Sequence, residues 1–541
     1  MNIDTSFMTS LKQKRSYIDI LTERFMQSID DYQQYNSIKK SYNRYMNDPI
    51  GYKSKKTSFL NNKITEKIVI LGTGWGSHSF LKTIDASKYD ITVISPRNYF
   101  MFTPMLAASA VGTVEFRSII EPIRNVNPLV DYIEATATKI DIKSKKIICE
   151  SIKCQGTACD INDFDITYDK LIIAVGATTN TFGIKGVREH CLFLKQIEDA
   201  TNLRKAIAYC FERANIPNLS ENDIKAALSF VVVGAGPTGV EFTSELRDFL
   251  ETEGRRYYAN ILKYAKITLV EAGNAVLAVF DEVLQKEAYK KLTERETSLI
   301  QDGIIDKEIT TVLLRAGVKE VHDKEIELSN GERIPYGFCV WAAGNGPVPL
   351  VLDVIDSIPE QKLAQSKARG RLVIDPWLRL RGVNDVYSFG DCTLMDETPL
   401  PATAQVASQQ GSYLGRLFSK GFKSRNNIEP PSRKIIPSFE EPFFASEKTN
   451  IGQLGIADEE NKIEYAKNFQ FLNLGILAYI GASQALAQVS VDDKNILGSG
   501  PIGFLLWRGI YWYKQVSWRN RVLVGIDWVK AKLFGRDIGA L

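Results

Sequence analysis

Lys67-Ile68-Val69-Ile70-Leu71-Gly72-Thr73-Gly74-Trp75-Gly76-Ser77 is the stretch on which the fold of this 541-residue chain turns. Four apolar residues in a row read as a strand buried on both faces, and a glycine turn follows at once. Gly72 permits the tight turn, and Gly74 lets the backbone approach a pyrophosphate. Ser77 fills the third slot, where a small residue lets the next helix lie close on the sheet. That helix is expected to begin near His78 and to aim its N-terminal amides at phosphate. Alone the stretch is a modest signal, because the third glycine is replaced.

A second copy strengthens it. In Ser229-Phe230-Val231-Val232-Val233-Gly234-Ala235-Gly236-Pro237-Thr238-Gly239-Val240-Glu241 the glycines Gly234, Gly236 and Gly239 fill every slot. The later strand Ile267-Thr268-Leu269-Val270 ends in Glu271, whose carboxylate can hold both hydroxyls of an adenosine ribose. The interval exceeds the usual ~20 residues, and the charged segment from Glu251 to Ala265 accounts for the excess. A carboxylate there repels a 2′-phosphate, which favours NADH over NADPH. In the first copy the matching strand, Asp90-Ile91-Thr92-Val93-Ile94, ends at Ser95, whose hydroxyl offers a ribose one contact rather than two. Arg97, two residues on, is suited to lie over an adenine or near a phosphate.

Three further strand ends belong to the same pattern. Lys170-Leu171-Ile172-Ile173-Ala174-Val175-Gly176 and Phe338-Cys339-Val340-Trp341-Ala342-Ala343-Gly344 are buried strands ending in glycine, where a backbone can approach a bound group. Val386-Tyr387-Ser388-Phe389-Gly390-Asp391 adds a carboxylate beside such an approach, suited to the ribityl hydroxyls of a flavin. Next, Thr403 is placed to cap a helix on which Gln405 and Gln409, four apart, share a face. Two amides on one face can donate to the carbonyl oxygens of a ring substrate.

Composition is that of a soluble globular protein, and a net charge of +3 gives no global field for nucleic acid. Seven cysteines stand singly without zinc-ligand spacing, which suits a reducing compartment. Cys154 and Cys159 lie in a polar loop too far along the chain to form the dithiol of a disulfide-type flavoenzyme. No metal-ligating motif appears. Residues 1–66 lack a secretory signal, and their acids argue against a transit helix, so an organellar address is not established by that segment. The uncharged run from Asn468 to Val491 is long enough to cross a membrane, but its glycines and amides favour a hairpin: a strand over Phe469 to Gly475 and a turn near Ile480-Gly481-Ala482. Phe504 to Phe534 holds four of the seven tryptophans and six cations against the single acid Asp527. Apolar residues recur there at helical spacing, as in helices that lie in a bilayer interface.

The fold expected is therefore α/β. Two Rossmann-like dinucleotide-binding domains precede a C-terminal module of hairpin and amphipathic, membrane-anchoring helices. The divisions are an N-terminal arm over 1–66, a first nucleotide domain over 67–192 and 344–434, a second over 193–343, and the C-terminal module over 435–541.

Taken together, Leu71 to Ser77, Ser95 to Phe100, Asn180-Thr181-Phe182-Gly183-Ile184-Lys185-Gly186-Val187, Gly234 to Glu241, Trp341 to Asn345 and Ala404-Gln405-Val406-Ala407-Ser408-Gln409 resemble the type II NADH dehydrogenases. These are single-subunit NADH:quinone oxidoreductases that do not pump protons. The resemblance covers residues 67 to 541. It implies FAD at the first cradle, held by Gly72, Gly74, Gly76, Ser77, Ser95, Arg97, Gly176, Asp391 and Ala404. It implies NADH at the second, held by Gly234, Gly236, Gly239, Glu271 and Gly344, and a membrane quinone as acceptor. It implies a homodimer on the mitochondrial inner membrane, peripheral and docked through the C-terminal region. Glu241 is the candidate charged group near nicotinamide and flavin, and Gln405 and Gln409 are candidates to orient the quinone. Relatives in this branch often carry histidine where this chain has Ser408, and serine cannot relay a proton as imidazole does. A sulfide:quinone oxidoreductase and a redox-sensing interaction protein are the alternatives. The complete second motif with Glu271 speaks against the former.

Overall fold

The computed structural model describes residues 66–151, 163–294, 308–396, 398–419, 455–458, 463–466, 469–491 and 494–539, with isolated positions before and between them. The N-terminal arm, the Cys154–Cys159 loop and the basic linker around residue 430 lie outside the described residues.

The chain divides into two compact units: residues 1–100, 122–177 and 347–472, and residues 101–121, 178–346 and 473–541. The division differs from the one read along the sequence. Residues up to Leu472 of the expected C-terminal module fall in the first unit, and those from Asn473 in the second.

In the first unit Lys67–Leu71 lies third in a seven-stranded sheet, at the centre of its five parallel strands. The order is Val386–Ser388, Lys170–Ile173, Lys67–Leu71, Asp90–Ser95, Asp131–Asp141, Lys146–Ser151 and Phe164–Thr167. The first five strands run parallel, and the last two turn back antiparallel. Ile68, Val69, Ile70 and Leu71 are buried on both faces, as an apolar run without alternation demands. One face is covered by the helices Trp75–Thr83 and Ala404–Ser419, whose Phe80, Leu414 and Phe418 join a core with Ile70 and Ile172. The other face packs on Leu350, Val351, Val354 and Ile355 of the helix Pro349–Ser357.

Gly411 decides how close the two covering helices come. A Cβ on it would run into the Gly76 carbonyl oxygen, and a Cβ on Gly76 would strike the Phe389 ring. The first helix begins at Trp75, three residues before the expected His78, because Gly74 already serves as its N-cap.

The second unit has a parallel five-stranded sheet in the order Cys191–Phe193, Phe338–Trp341, Ser229–Val233, Lys266–Val270 and Thr310–Leu313. Phe338, Cys339, Val340 and Trp341 are all buried. A three-stranded antiparallel sheet of Val318–Val321, Glu325–Leu328 and Arg333–Pro335 packs on one side through Val321, Ile326 and Leu328. The helix Pro237–Phe249 leaves the glycine turn and carries Phe242 and Leu246 into the interior. Its continuation through a π-helical turn at Leu250–Gly254 and the short helices Arg255–Tyr257 and Ala259–Leu262 is the extra length foreseen before Glu271.

The hairpin forms, one strand later than expected. Residues 469–475 are irregular; Ile476–Gly481 pairs antiparallel with Gln484–Val491, and Lys494–Gly498 adds a third strand. The turn residues Ala482 and Ser483 both have positive φ, the conformation of a tight two-residue hairpin turn. Two helices follow, Gly500–Tyr513 and Trp518–Phe534. Among the described residues no helix is long and apolar enough to cross a membrane.

Gly411→Val inserts bulk where two helix backbones touch and should cost about 3 kcal/mol, as overpacking does. A lowered midpoint of thermal unfolding, with a smaller loss for Gly411→Ala, is the expected result.

Candidate functional site: two glycine-turn cradles and a row of acids

The parallel register of the first unit collects its candidate residues at one edge of the sheet. Leu71 pairs with Ile94 on one side and Ile173 on the other, and Ser388 pairs with Ile173. Gly72, Ser95, Gly176 and Gly390 therefore all follow the carboxyl ends of adjacent strands, the edge at which open α/β sheets bind ligands. Gly72 has φ +102°, and a Cβ there would lie 2.5 Å from the Ala174 carbonyl oxygen. At Gly74 and Gly176 a Cβ would meet nothing within 4 Å. The first cradle thus presents bare backbone toward open space, followed by the amides of a helix N-terminus. That fits a pyrophosphate-bearing cofactor.

Other candidates turn out to build this edge. Ser95 is buried; its hydroxyl lies 3.2 Å from Thr73 Oγ1 and accepts from the Arg97 amide at 3.2 Å, so it shapes the turn rather than standing open to a ribose. Arg97 itself is half-buried. Gly76 and Ser77 face the packing, with the Ser77 hydroxyl buried and without a hydrogen-bond partner. Asp391 is half-buried just after Gly390, whose amide donates to Gln410 Oε1 at 2.9 Å. Gln410, 2 % exposed, ties the helix Ala404–Ser419 to that strand end and escaped the sequence reading.

Thr403 caps this helix as expected, accepting from the Val406 amide at 3.3 Å. Ala404 and Gln405 open it, both half-buried. Gln409 has a different task from the one expected. Its amide group donates to the Leu472 carbonyl at 2.8 Å and accepts from the Leu472 amide at 3.0 Å, so it pins the irregular segment before the hairpin instead of facing a ring substrate. Ser408 Oγ lies 2.6 Å from Ser79 Oγ on the facing helix.

The second cradle repeats the geometry. Val233 pairs with Val270 and Trp341, so Gly234, Glu271 and Gly344 follow adjacent strand ends. Gly234 has φ +103°, a Cβ there would lie 3.0 Å from the Ala342 carbonyl, and Gly236 faces open space. A Cβ on Gly239 would collide with the Gly234 carbonyl oxygen, so the third glycine closes the turn on itself. The Glu271 carboxylate accepts from the Ala235 amide and the Gly273 amide, each at 2.7 Å. It is thereby fixed beside the turn with lone pairs remaining for a pair of hydroxyls. Gly344, with φ +73°, is covered by the exposed Phe182 ring, which a Cβ would meet at 2.5 Å.

Glu241 lies on the helix leaving this cradle. It is set deep in the unit yet keeps part of its surface open, and its Oε1 accepts from the Tyr479 amide at 3.3 Å. Burial pushes its carboxyl up to about 8. The Tyr479 amide opposes this, the Glu245 charge adds to it, and the nearby Trp507 indole pulls it down without reaching hydrogen-bond geometry. One turn on, Glu245 is 5 % exposed and is pushed up to about 7, again chiefly by burial. Asp248 accepts from the Tyr479 hydroxyl, and from the Ala482 amide at 2.9 Å. Glu245 and Asp248 were not singled out in the sequence, although the spacing of 241, 245 and 248 on a helix was there to be seen.

With this geometry in view, likeness to known proteins becomes informative. The model of the pyridine nucleotide-disulphide oxidoreductase family matches residues 66–411, and an NDH2 C-terminal domain matches residues 473–537. A probable NADH dehydrogenase of Dictyostelium discoideum is 39 % identical over 478 residues, covering 88 % of this chain and 91 % of that one. The external mitochondrial NADH-ubiquinone oxidoreductase 2 of Saccharomyces cerevisiae is 36 % identical over 506 residues, covering 92 % and 86 %. Among solved structures, NDH2 from Plasmodium falciparum in complex with NADH matches with a TM-score of 0.71 at 27 % identity, over 88 % of this chain and 100 % of that one. A sulfide:quinone oxidoreductase of Aquifex aeolicus, 17 % identical with a TM-score of 0.55, shares the fold alone. Glycine turns, the acid after the second and the C-terminal hairpin with its helices agree with these likenesses, and this chain belongs to the pyridine nucleotide-disulphide oxidoreductase family and, within it, to the type II NADH dehydrogenases.

Proposed function

We propose that this chain oxidises NADH and reduces a ubiquinone-type membrane quinone, with FAD in the first cradle and NADH in the second, without pumping protons. The observation that carries the assignment is the asymmetry of the cradles. The second offers a carboxylate, Glu271, held by two backbone amides where an adenosine ribose would present both hydroxyls. The first offers the buried Ser95 and, from the returning chain, Asp391 beside Gly390, which suits the longer hydroxylated chain of FAD. Bound FAD supplies the redox chemistry, accepting two electrons from NADH and passing two to the quinone.

The residues bind, orient and manage protons. Gly72, Gly74 and the amides from Trp75 onward receive the FAD pyrophosphate, and Gly234, Gly236 and the amides from Thr238 onward that of NADH. Gly176 admits close backbone approach to the flavin. Gln405 is assigned to orient a quinone carbonyl, and Glu241 to hold a proton near the reacting groups.

Membrane attachment and self-association belong to the same reading. Leu505, Ile526, Val529, Leu533 and Phe534 stand exposed on the two C-terminal helices, while Trp507 is buried against Tyr479. Arg508 lies over Trp528. Exposed apolar side chains beside cations fit an anionic lipid interface, and mitochondrial relatives support the inner membrane as the location. The protein acts there as a homodimer.

Glu271→Ala should raise KM for NADH about tenfold with kcat nearly unchanged, since it removes binding common to ground and transition states. It should also narrow the preference over NADPH; steady-state kinetics with both nucleotides checks this. Gln405→Leu should leave bleaching of the bound flavin by NADH intact and slow its reoxidation by a short-chain quinone about tenfold; equal reoxidation rates remove the assignment. Leu505→Asp with Ile526→Asp should abolish co-sedimentation with anionic phospholipid vesicles and leave turnover of a soluble quinone unchanged.

A further inference from the structure

The turn Phe389-Gly390-Asp391 is held from two sides, and one of its holders is a side chain that the core does not require. Gln410 stands on the helix Ala404–Ser419 with the buried Val406, Ala407, Tyr413 and Leu414, and is itself 2 % exposed. Burying an amide side chain costs free energy unless its polar atoms are bonded. Leucine is of similar size and would spare that cost. The helix is already fixed without the amide: Leu414 and Phe418 enter the core with Phe80, and Gly411 lets its backbone touch that of Gly76. What the amide adds is a bond from the Gly390 amide to Gln410 Oε1 at 2.9 Å.

That bond falls where the backbone has most freedom to lose. Gly390 has φ +82°, and glycine loses more conformational freedom on ordering than any other residue. Each peptide flanking it has a polar group secured. Its amide donates to Gln410, and its carbonyl accepts from the Thr393 amide at 3.0 Å and from Thr393 Oγ1 at 2.8 Å. On one side the Phe389 ring fills the space where a Cβ on Gly76 would lie. On the other, a Cβ on Gly390 would meet Ala407 Cβ at 3.3 Å. The turn is thereby set between the first glycine turn and the helix, and the half-buried Asp391 follows directly. Because the Gly390 amide is satisfied inside the protein, its bond serves to fix the direction in which the next residue leaves.

We propose that Gln410 is a positioning residue for FAD: it preorganises the Gly390–Asp391 turn so that Asp391 meets the ribityl hydroxyls without a further ordering cost. The proposal rests on the reading of the first cradle as the FAD site with Asp391 at the ribityl chain. Gln410 touches no cofactor and acts through Gly390. A turn ordered before its ligand arrives binds more tightly than one ordered by the ligand, because the entropy is lost in folding instead of in binding. Removing the bond moves that cost to FAD binding. It also leaves the Gly390 amide without its acceptor whenever the turn takes up its binding form. The same bond joins the turn to the helix that opens with Ala404 and Gln405. Asp391, assigned to the flavin, and Gln405, assigned to the quinone, are thereby held to one frame.

The test uses purified holoenzymes and follows release of FAD by the rise in its fluorescence, with thermal unfolding measured in parallel. Gln410→Leu should release FAD about tenfold faster than the parent, and Gln410→Glu, which keeps an acceptor oxygen in place, should stay within about twofold. Leu414→Ala is the control for a merely structural part. It should lower the unfolding midpoint, as a core cavity does, yet release FAD from the folded protein at nearly the parental rate. Hydrogen exchange read by mass spectrometry supplies a second signature. In Gln410→Leu the peptide containing Gly390 should exchange faster, while that of the Lys67–Leu71 strand stays protected. Asp391→Ala separates the proposal from the reading beneath it. If Asp391→Ala speeds release while Gln410→Leu keeps the parental rate, Gln410 is overturned and the FAD site stands. If Asp391→Ala releases FAD at the parental rate, the placement of the ribityl chain fails, and the part of Gln410 with it. Release from Leu414→Ala as fast as from Gln410→Leu at equal loss of midpoint would reduce Gln410 to packing and overturn the proposal. Release from Gln410→Glu as fast as from Gln410→Leu would overturn it too. Should Gln410→Leu not fold, Gln410→Met decides: faster release is expected, and the parental rate overturns.

Discussion

The constraint on which the rest depends is the lack of room for a side chain where two buried strands end. At Gly72 the neighbouring Ala174 carbonyl passes 2.5 Å from where a Cβ would be, and at Gly234 the Ala342 carbonyl passes at 3.0 Å. Both glycines sit at φ near +100°, a conformation other residues adopt only with strain. Because the turn is so tight, the next helix starts at the strand end, with its first amides directed off the sheet edge. Everything assigned to nucleotide binding follows from that placement.

Each turn is held from the side by a partner of different chemistry. In the first, Thr73 and Ser95 face each other as two neutral hydroxyls, and the serine is closed off from solvent. In the second, the Glu271 carboxylate takes the Ala235 amide and keeps capacity for hydroxyl donors. A charged acceptor bonds more strongly than a neutral one, so the two cradles differ in what they recognise although their backbones repeat. The helix leaving the second cradle carries a further asymmetry. It buries Glu245 beside Thr113, which Arg536 bonds in turn, and sets the half-buried Asp248 against Tyr479, with these partners drawn from distant parts of the second unit's chain. Tyr479 and Arg536 come from the hairpin and the tail, so the C-terminal segment packs against this helix in addition to exposing apolar surface.

The parallel strands of both sheets, the glycine turns after Leu71 and Val233 and the position of the acid after the second turn were legible in the sequence. They rest on short-range rules: an apolar run makes a buried strand, and a glycine follows where the chain must bend. The hairpin was legible as a type but not in register, since Phe469 to Gly475 alternates like a strand yet is drawn off to pair Leu472 with Gln409. Gln409 shows the limit well. Its spacing from Gln405 is a true statement about a helix face, but only the packing reveals that the Gln409 amide is engaged with the Leu472 backbone.

What the sequence by itself determined is thus the pair of nucleotide cradles, because strand, turn and helix start are contiguous and a carbonyl neighbour leaves the glycine no substitute. Only the tertiary structure decided which polar side chains are engaged and which acids are driven toward neutrality. The hydroxyl of Thr113 and the guanidinium groups of Arg508 and Arg536 reach Glu245 from more than a hundred positions away, and no local pattern encodes the loss of water that raises a carboxyl to about 7.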